Sequence, residues 1–166
     1  VSDPISGVPE VLAQKQGGLL DVTVSPDFAS DRTVYFTYAK PMGDGLSATA
    51  AAKARLSEDR RRLEEVRDIF VQQPPSPVPA HYGSRIVVDG DIAWITTGEH
   101  FTERMRQRAQ QLDATYGKVI RVLTDGSVPE SNPFAQNPDA IGSIWSLGHR
   151  NFFGVWTPER PGEVLS

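Results

Sequence analysis

Residues 79–100 read PAHYGSRIVVDGDIAWITTGEH. They set His81 and Glu99 at the two ends of a pair of short apolar runs, SRIVV and IAWITT. An imidazole titrates near neutrality, and a carboxylate on one ring nitrogen fixes the tautomer and stabilises the imidazolium formed when the other nitrogen takes a proton. That is the makings of a general base. DGD between the runs signals a hairpin. With Asp89, Gly90 and Asp91 as a three-residue loop, His81 lies level with Glu99, whereas a two-residue loop moves its partner to Gly98. Either register leaves both side chains at one end of the hairpin. On these residues alone a loop histidine beside a surface glutamate is the competing reading.

A second group lies in LGHRN, residues 147–151. Arg150 carries five donors in a planar fork suited to carboxylates or quinone oxygens, and Asn151 both donates and accepts. In KQGGLLDV, Gln16 precedes two glycines that allow close approach of backbone or ligand. A structural arginine and an ordinary turn would produce the same letters.

Other chemistries are poorly supported. The chain has no cysteine, which removes disulfides, thiolate metal sites and a cysteine nucleophile. His81, His100 and His149 lack the local spacing of a zinc site, no GxSxG elbow is present, and neither GDGLS nor GHRNFFG forms a phosphate loop or dinucleotide fingerprint. A formal charge of −4 and a pI near 5.4 argue against a nucleic-acid surface. No run approaches the roughly 18 apolar residues of a membrane helix.

The elements that must hold these residues are short. In 166 residues, 13 prolines and 14 glycines cut the chain into brief segments, as many strands joined by turns would require. GGLLDVTV, RTVYFTYA, SRIVV, IAWITT, KVIRVL and SIWS read as strands, with turns at SPDFASD and TDGSVP. Residues 47–70 support two readings. Their Ala, Arg, Glu and Leu content and helically spaced opposite charges favour a helix, whereas TAAAKARLS and LEEVRDIFVQ around a charged turn at Glu58–Arg62 give two strands. The strand reading puts four strands within residues 19–73, about one propeller blade, with further blade material over 84–166 and PPSPVPAHYG as a rigid connector.

In order, QGGLLDVTVSPDF, VYFTYA, HYGSRIVVDGD, ITTGE, YGKVIRVLTDGSVPESNPF and SIWSLGHRN resemble the soluble aldose sugar dehydrogenases of the glucose/sorbosone dehydrogenase family. The resemblance implies an all-β fold, a six-bladed β-propeller that binds pyrroloquinoline quinone (PQQ) on its axis, and strands over 47–70. It implies an aldose substrate oxidised at C1 to the lactone, an external electron acceptor, and export to the periplasm or beyond. His81 matches the base. Glu99 matches an orienting carboxylate that is commonly Asp. Gln16 matches a glutamine near cofactor and sugar, and Arg150 and Asn151 match the quinone contacts. GEHFTERMRQRAQQLDATYG falls in a variable stretch with no assigned role.

Six blades need about 250 residues or more. The resemblance therefore implies one partial propeller domain over 1–166, roughly the front half of a ring, with calcium ligands and later cofactor contacts outside it. Alone, such a piece is expected to be inactive and to expose sheet edges. A non-catalytic propeller serving protein interaction is the alternative, since fold does not prove activity. A metal-dependent lactonase would need converging acidic or amide ligands that these residues do not supply.

Overall fold

Alternation of apolar and polar residues, rich in β-branched and aromatic types, builds two consecutive antiparallel meanders. The computed structural model describes residues 3–152. The first sheet runs in chain order through β1 (Leu19–Val24), β2 (Thr33–Pro41), β3 (Ser47–Leu56) and β4 (Leu63–Val71). The second runs through β5 (Gly83–Asp89), β6 (Ile92–Thr97), β7 (Val119–Leu123) and β8 (Ile144–Ser146). Among the described residues, helix is confined to α1 (Phe28–Asp31), inside the expected SPDFASD turn, and to α2 (Glu103–Arg106) with the 3-10 turn Gln107–Gln110 behind it. The fold is all-β. The end of the expected 84–166 segment lies beyond Phe152, outside the described residues.

Residues 47–70 form two strands, and packing explains why helix propensity loses. Ala48, Ala50, Ala51, Ala52 and Ala54 of β3 are all buried. Ala51 faces the core shared with the second sheet, whereas Ala50, Ala52 and Ala54 face Phe36 and Tyr38 on the other side. A strand covered on both faces has room for small side chains. The charges that mimic helical spacing pair across strands: Arg55 and Glu64 are register partners in the β3–β4 ladder and meet at 2.7 Å. Lys40 of β2 likewise pairs with Asp68 of β4.

The two sheets pack face to face. Tyr35, Ala51, Ile69 and Phe70 from the first meet Ile86, Ala93, Ile95, Ile120, Val122 and Ile144 from the second. Each larger apolar side chain buried there contributes about 1.5–3 kcal/mol. The connector from β4 to β5 crosses one end of this seam. Ser76 ties it to the start of β3 by reciprocal backbone bonds with Ser47, at 2.7 and 2.8 Å, so the chain reaches His81 already anchored.

The β5–β6 register follows neither expected pattern along its whole length. Asp89 pairs with Ile92 and Ile86 with Ile95 around a two-residue turn, Gly90–Asp91, with Gly90 at φ +56. Continued unbroken, that pairing would set His81 opposite His100. A bulge between Gly83 and Ile86 removes one step, so that Gly83 pairs with Thr97 and His81 comes level with Glu99. Bulges re-aim side chains in this way, and here the re-aimed residue is the histidine.

Candidate active site

His81 and Glu99 meet at the end of the β5–β6 hairpin. His81 Nδ1 lies 3.0 Å from Glu99 Oε1 and 3.1 Å from Oε2. The carboxylate is only 1 % exposed and the histidine side chain 13 %. Local backbone makes this approach possible. A Cβ on Gly98 would stand 1.9 Å from the His81 carbonyl oxygen, so the two chains close to this distance only with glycine there. His81, His100 and Phe101 all adopt left-handed conformations, at φ +50, +59 and +72. For residues with side chains that strain persists only where the surroundings over-determine it, and it clusters at working sites.

The other sequence-derived residues converge on the same pair. Gln16, 65 positions before His81, accepts the His81 backbone N–H on Oε1 at 2.9 Å, and its own N–H bonds the Pro79 carbonyl at 3.3 Å. Gln16 therefore grips the main chain of the histidine's segment. Asn151 Oδ1 accepts the N–H of Gly83 at 2.9 Å, which leaves its NH₂ group as a donor. Arg150 Nε lies 3.8 Å from Glu99 Oε1, with the side chain 64 % exposed. The 147–151 segment is positioned by bonds from Gly148 N–H to Ala109 and from His149 N–H to Gly117, at 2.8 and 3.0 Å.

Four residues of the site escaped the sequence reading. Arg106, on α2, brings a second guanidinium to Glu99 Oε1, with Nε at 3.7 Å. Phe101 sets its ring edge-on to His81, with centroids 5.0 Å apart. Behind them His100 is fully buried, its Nε2 2.6 Å from Gln72 Oε1 and its Nδ1 3.0 Å from the Val78 carbonyl. The Gln72 NH₂ group is committed to the carbonyls of Gly98 and Thr115. Burial pushes the His100 pKa down to about 4, against smaller opposing effects of the Val78 and Ala80 carbonyls and of Glu99. His100 is thus a buried ring wedged between the segment bearing His81 and the seam of the two sheets. The Arg at the seventh position after Glu99 was visible in sequence, but nothing there signals that two left-handed residues turn the chain back over the carboxylate.

Lys118 completes the support. Its ammonium is buried and donates to the carbonyls of Arg108, Ala109 and Tyr116 at 3.0, 2.9 and 2.7 Å. Those bonds fix the turn that follows Arg106. Burial pushes the Lys118 pKa down to about 8, opposed by the charge of Asp113.

Comparison with known proteins decides the family. The sequence profile of "Glucose / Sorbosone dehydrogenase" matches residues 1–166. The chain belongs to the glucose/sorbosone dehydrogenase family. Among curated members, the aldose sugar dehydrogenase YliI of Escherichia coli (strain K12) is 41% identical over 156 residues, covering 93% of this chain and 41% of that protein. A solved glucose dehydrogenase superposes with a TM-score of 0.85 at 42% identity, covering 90% of this chain and 46% of the other. The PQQ-bound aldose sugar dehydrogenase of Streptomyces coelicolor gives a TM-score of 0.66 at 28% identity, over 89% of this chain and 40% of that one. The chain thus spans about two fifths of the length of the family members it matches.

Within this family frame the donor set can be weighed against an anionic quinone. A half-free guanidinium at Arg150 and the NH₂ of Asn151, which has no partner among the described residues, both offer hydrogen to oxygen acceptors, and they stand beside His81, whose Nε2 likewise has no hydrogen-bond partner among the described residues. That set fits the group.

Proposed function

We propose that this chain is part of a PQQ-dependent dehydrogenase that oxidises aldose sugars at C1 to lactones, with His81 as general base. The observation carrying the proposal is the His81–Glu99 pair: Nδ1 committed to a buried carboxylate, Nε2 without a hydrogen-bond partner among the described residues, and Arg150 alongside. When bound, PQQ would supply an electrophilic ortho-quinone that accepts a hydride equivalent. Everything else falls to the protein. His81 Nε2 takes the proton of the C1 hydroxyl as the C1–H bond gives up its electron pair, leaving C1 doubly bonded to oxygen as the lactone. Glu99 keeps Nδ1 protonated so that Nε2 presents a lone pair, and it stabilises the imidazolium that forms. Gln16 fixes the main chain of His81. Arg150 and Asn151 would hold the quinone oxygens, with the guanidinium countering the negative charge that grows there.

The same reading takes each four-stranded sheet as one blade of a six-bladed ring, the first within residues 19–73 and further blade material over 84–166. Calcium ligands and the remaining cofactor contacts would come from outside this chain, the location would be the periplasm or beyond the cell, and residues 1–166 alone would be inactive. To test it, the complete reading frame is reconstituted with PQQ and calcium and dye reduction by aldoses is followed. Turnover that requires PQQ supports the proposal. Cofactor-independent binding to another protein, with no turnover of any aldose, would favour an interaction module instead.

A further inference from the structure

Glu99 Oε1 is approached by three cationic or potentially cationic groups: His81 Nδ1 at 3.0 Å, Arg106 Nε at 3.7 Å and Arg150 Nε at 3.8 Å. A carboxylate 1 % exposed needs compensation for its lost hydration. Of the three groups only the guanidiniums carry a permanent charge, so they supply lasting compensation. Two are present where one would balance the charge, and they differ in how they are held. Arg106 donates its Nε hydrogen to the Phe101 carbonyl at 2.9 Å, lies over the Phe101 ring at 5.8 Å, and sits on a turn pinned by Lys118. Arg150 makes no hydrogen bond among the described residues and is the more exposed, at 64 % against 47 %. Among the described residues, one arginine is held by a hydrogen bond and the other is not.

We propose that Arg106 is a positioning residue: the permanent counter-charge that keeps the Glu99 carboxylate seated against His81 when Arg150 is drawn to the quinone. This rests on the reading of Arg150 as a cofactor contact, and it removes a conflict in that reading. An arginine committed to the developing charge on the cofactor cannot also neutralise Glu99 in full, and a buried carboxylate stripped of its counter-charge would turn away toward solvent, leaving His81 without its orienting acceptor. Arg106 acts through charge rather than a direct bond, since 3.7 Å exceeds hydrogen-bond length. Its reach comes from the left-handed pair His100 and Phe101, which reverses the chain after Glu99 so that α2 returns over it.

The experiment uses the full-length protein with ¹⁵N-labelled histidine and the variants R106M, R106K, R150M and R106M/R150M. In the cofactor-free protein each single Met variant should keep the His81 Nδ1–H signal of the Glu99 contact, because the other arginine remains, and the double variant should lose it. On loading with PQQ, wild type should keep that signal and R106M should lose it. With an aldose, R106M should lower kcat at least ~10-fold while KM stays within about 3-fold, and R106K should recover most of the loss. Loaded R106M with the signal and kcat intact would overturn the proposal. So would R106M losing the signal already in the cofactor-free protein, which would mean that Arg106 only holds the loop, or R106K no better than R106M. If PQQ fails to bind wild type, the functional reading falls by itself, and the cofactor-free comparison still decides whether the two arginines share Glu99.

Discussion

Both oxygens of Glu99 lie within 3.1 Å of one ring nitrogen of His81, and this contact depends on the full length of the glutamate side chain. Glu99→Asp would withdraw the carboxylate by about one C–C bond, ~1.5 Å, from a histidine whose main chain is fixed by Gln16. The expected result is a kcat about 10-fold lower with a smaller change in KM, while Glu99→Gln, which keeps the shape and removes the charge, should cost at least ~100-fold. Steady-state kinetics on the reconstituted enzyme check both. Equal activity of Asp and Glu at this position would show that the contact is not needed.

Gln16 should act through the backbone. Gln16→Ala removes the acceptor for the His81 N–H and leaves a strained residue less well held. Its expected cost is about 3- to 10-fold in kcat, of the order of one hydrogen bond. Gln16→Glu, which keeps an acceptor oxygen, should retain more activity than Gln16→Ala, and the kinetic ranking of the two variants checks the assignment.

His100 makes stability pH-dependent with a definite sign. Its pKa is near 4 in the folded protein and about 6.5 when unfolded, so between those values the unfolded chain binds more protons. Stability therefore falls as pH drops from about 6.5 toward 4, by roughly 2–4 kcal/mol from this residue. His149, whose pKa is also lowered by burial and by Lys118, acts in the same direction. Thermal melts at pH 7 and pH 5 should show a loss of Tm that is smaller in His100→Gln. An unchanged slope in that variant would assign the effect elsewhere.

Lys118→Met should destabilise the protein without touching the reacting groups. It leaves the carbonyls of Arg108, Ala109 and Tyr116 without their shared donor, at a cost of about 2–4 kcal/mol. Denaturant unfolding measures that loss. The turn after α2 should lose amide-exchange protection first, because two of the three carbonyls belong to it.

Much of the fold was legible because strand segments alternate and turns carry Gly, Pro and Asp: β1, β2 and β5 to β8 lie where the pattern puts them. Residues 47–70 were not decidable locally. Their alanines and charges satisfy a helix, and only the two-sided burial of β3 and the cross-strand Arg55–Glu64 pair make them strands. The site was legible in its types and less so in its geometry. Loop counting gave the right end of the hairpin for His81 and Glu99, but the level pairing arises from a two-residue turn corrected by a bulge near Ser84 and Arg85, and a bulge leaves no distinct mark in SRIVV. Arg106, His100 and Gln72 were invisible as site residues because their roles come from a chain reversal and a sheet seam, which are properties of tertiary packing.

The account is tested most directly by His81→Ala in the complete reading frame, reconstituted with PQQ and calcium and assayed for aldose-dependent dye reduction. With cofactor binding retained, kcat should fall at least ~100-fold, the scale expected for loss of a general base. A His81→Ala enzyme that turns over aldoses at the wild-type rate would contradict it.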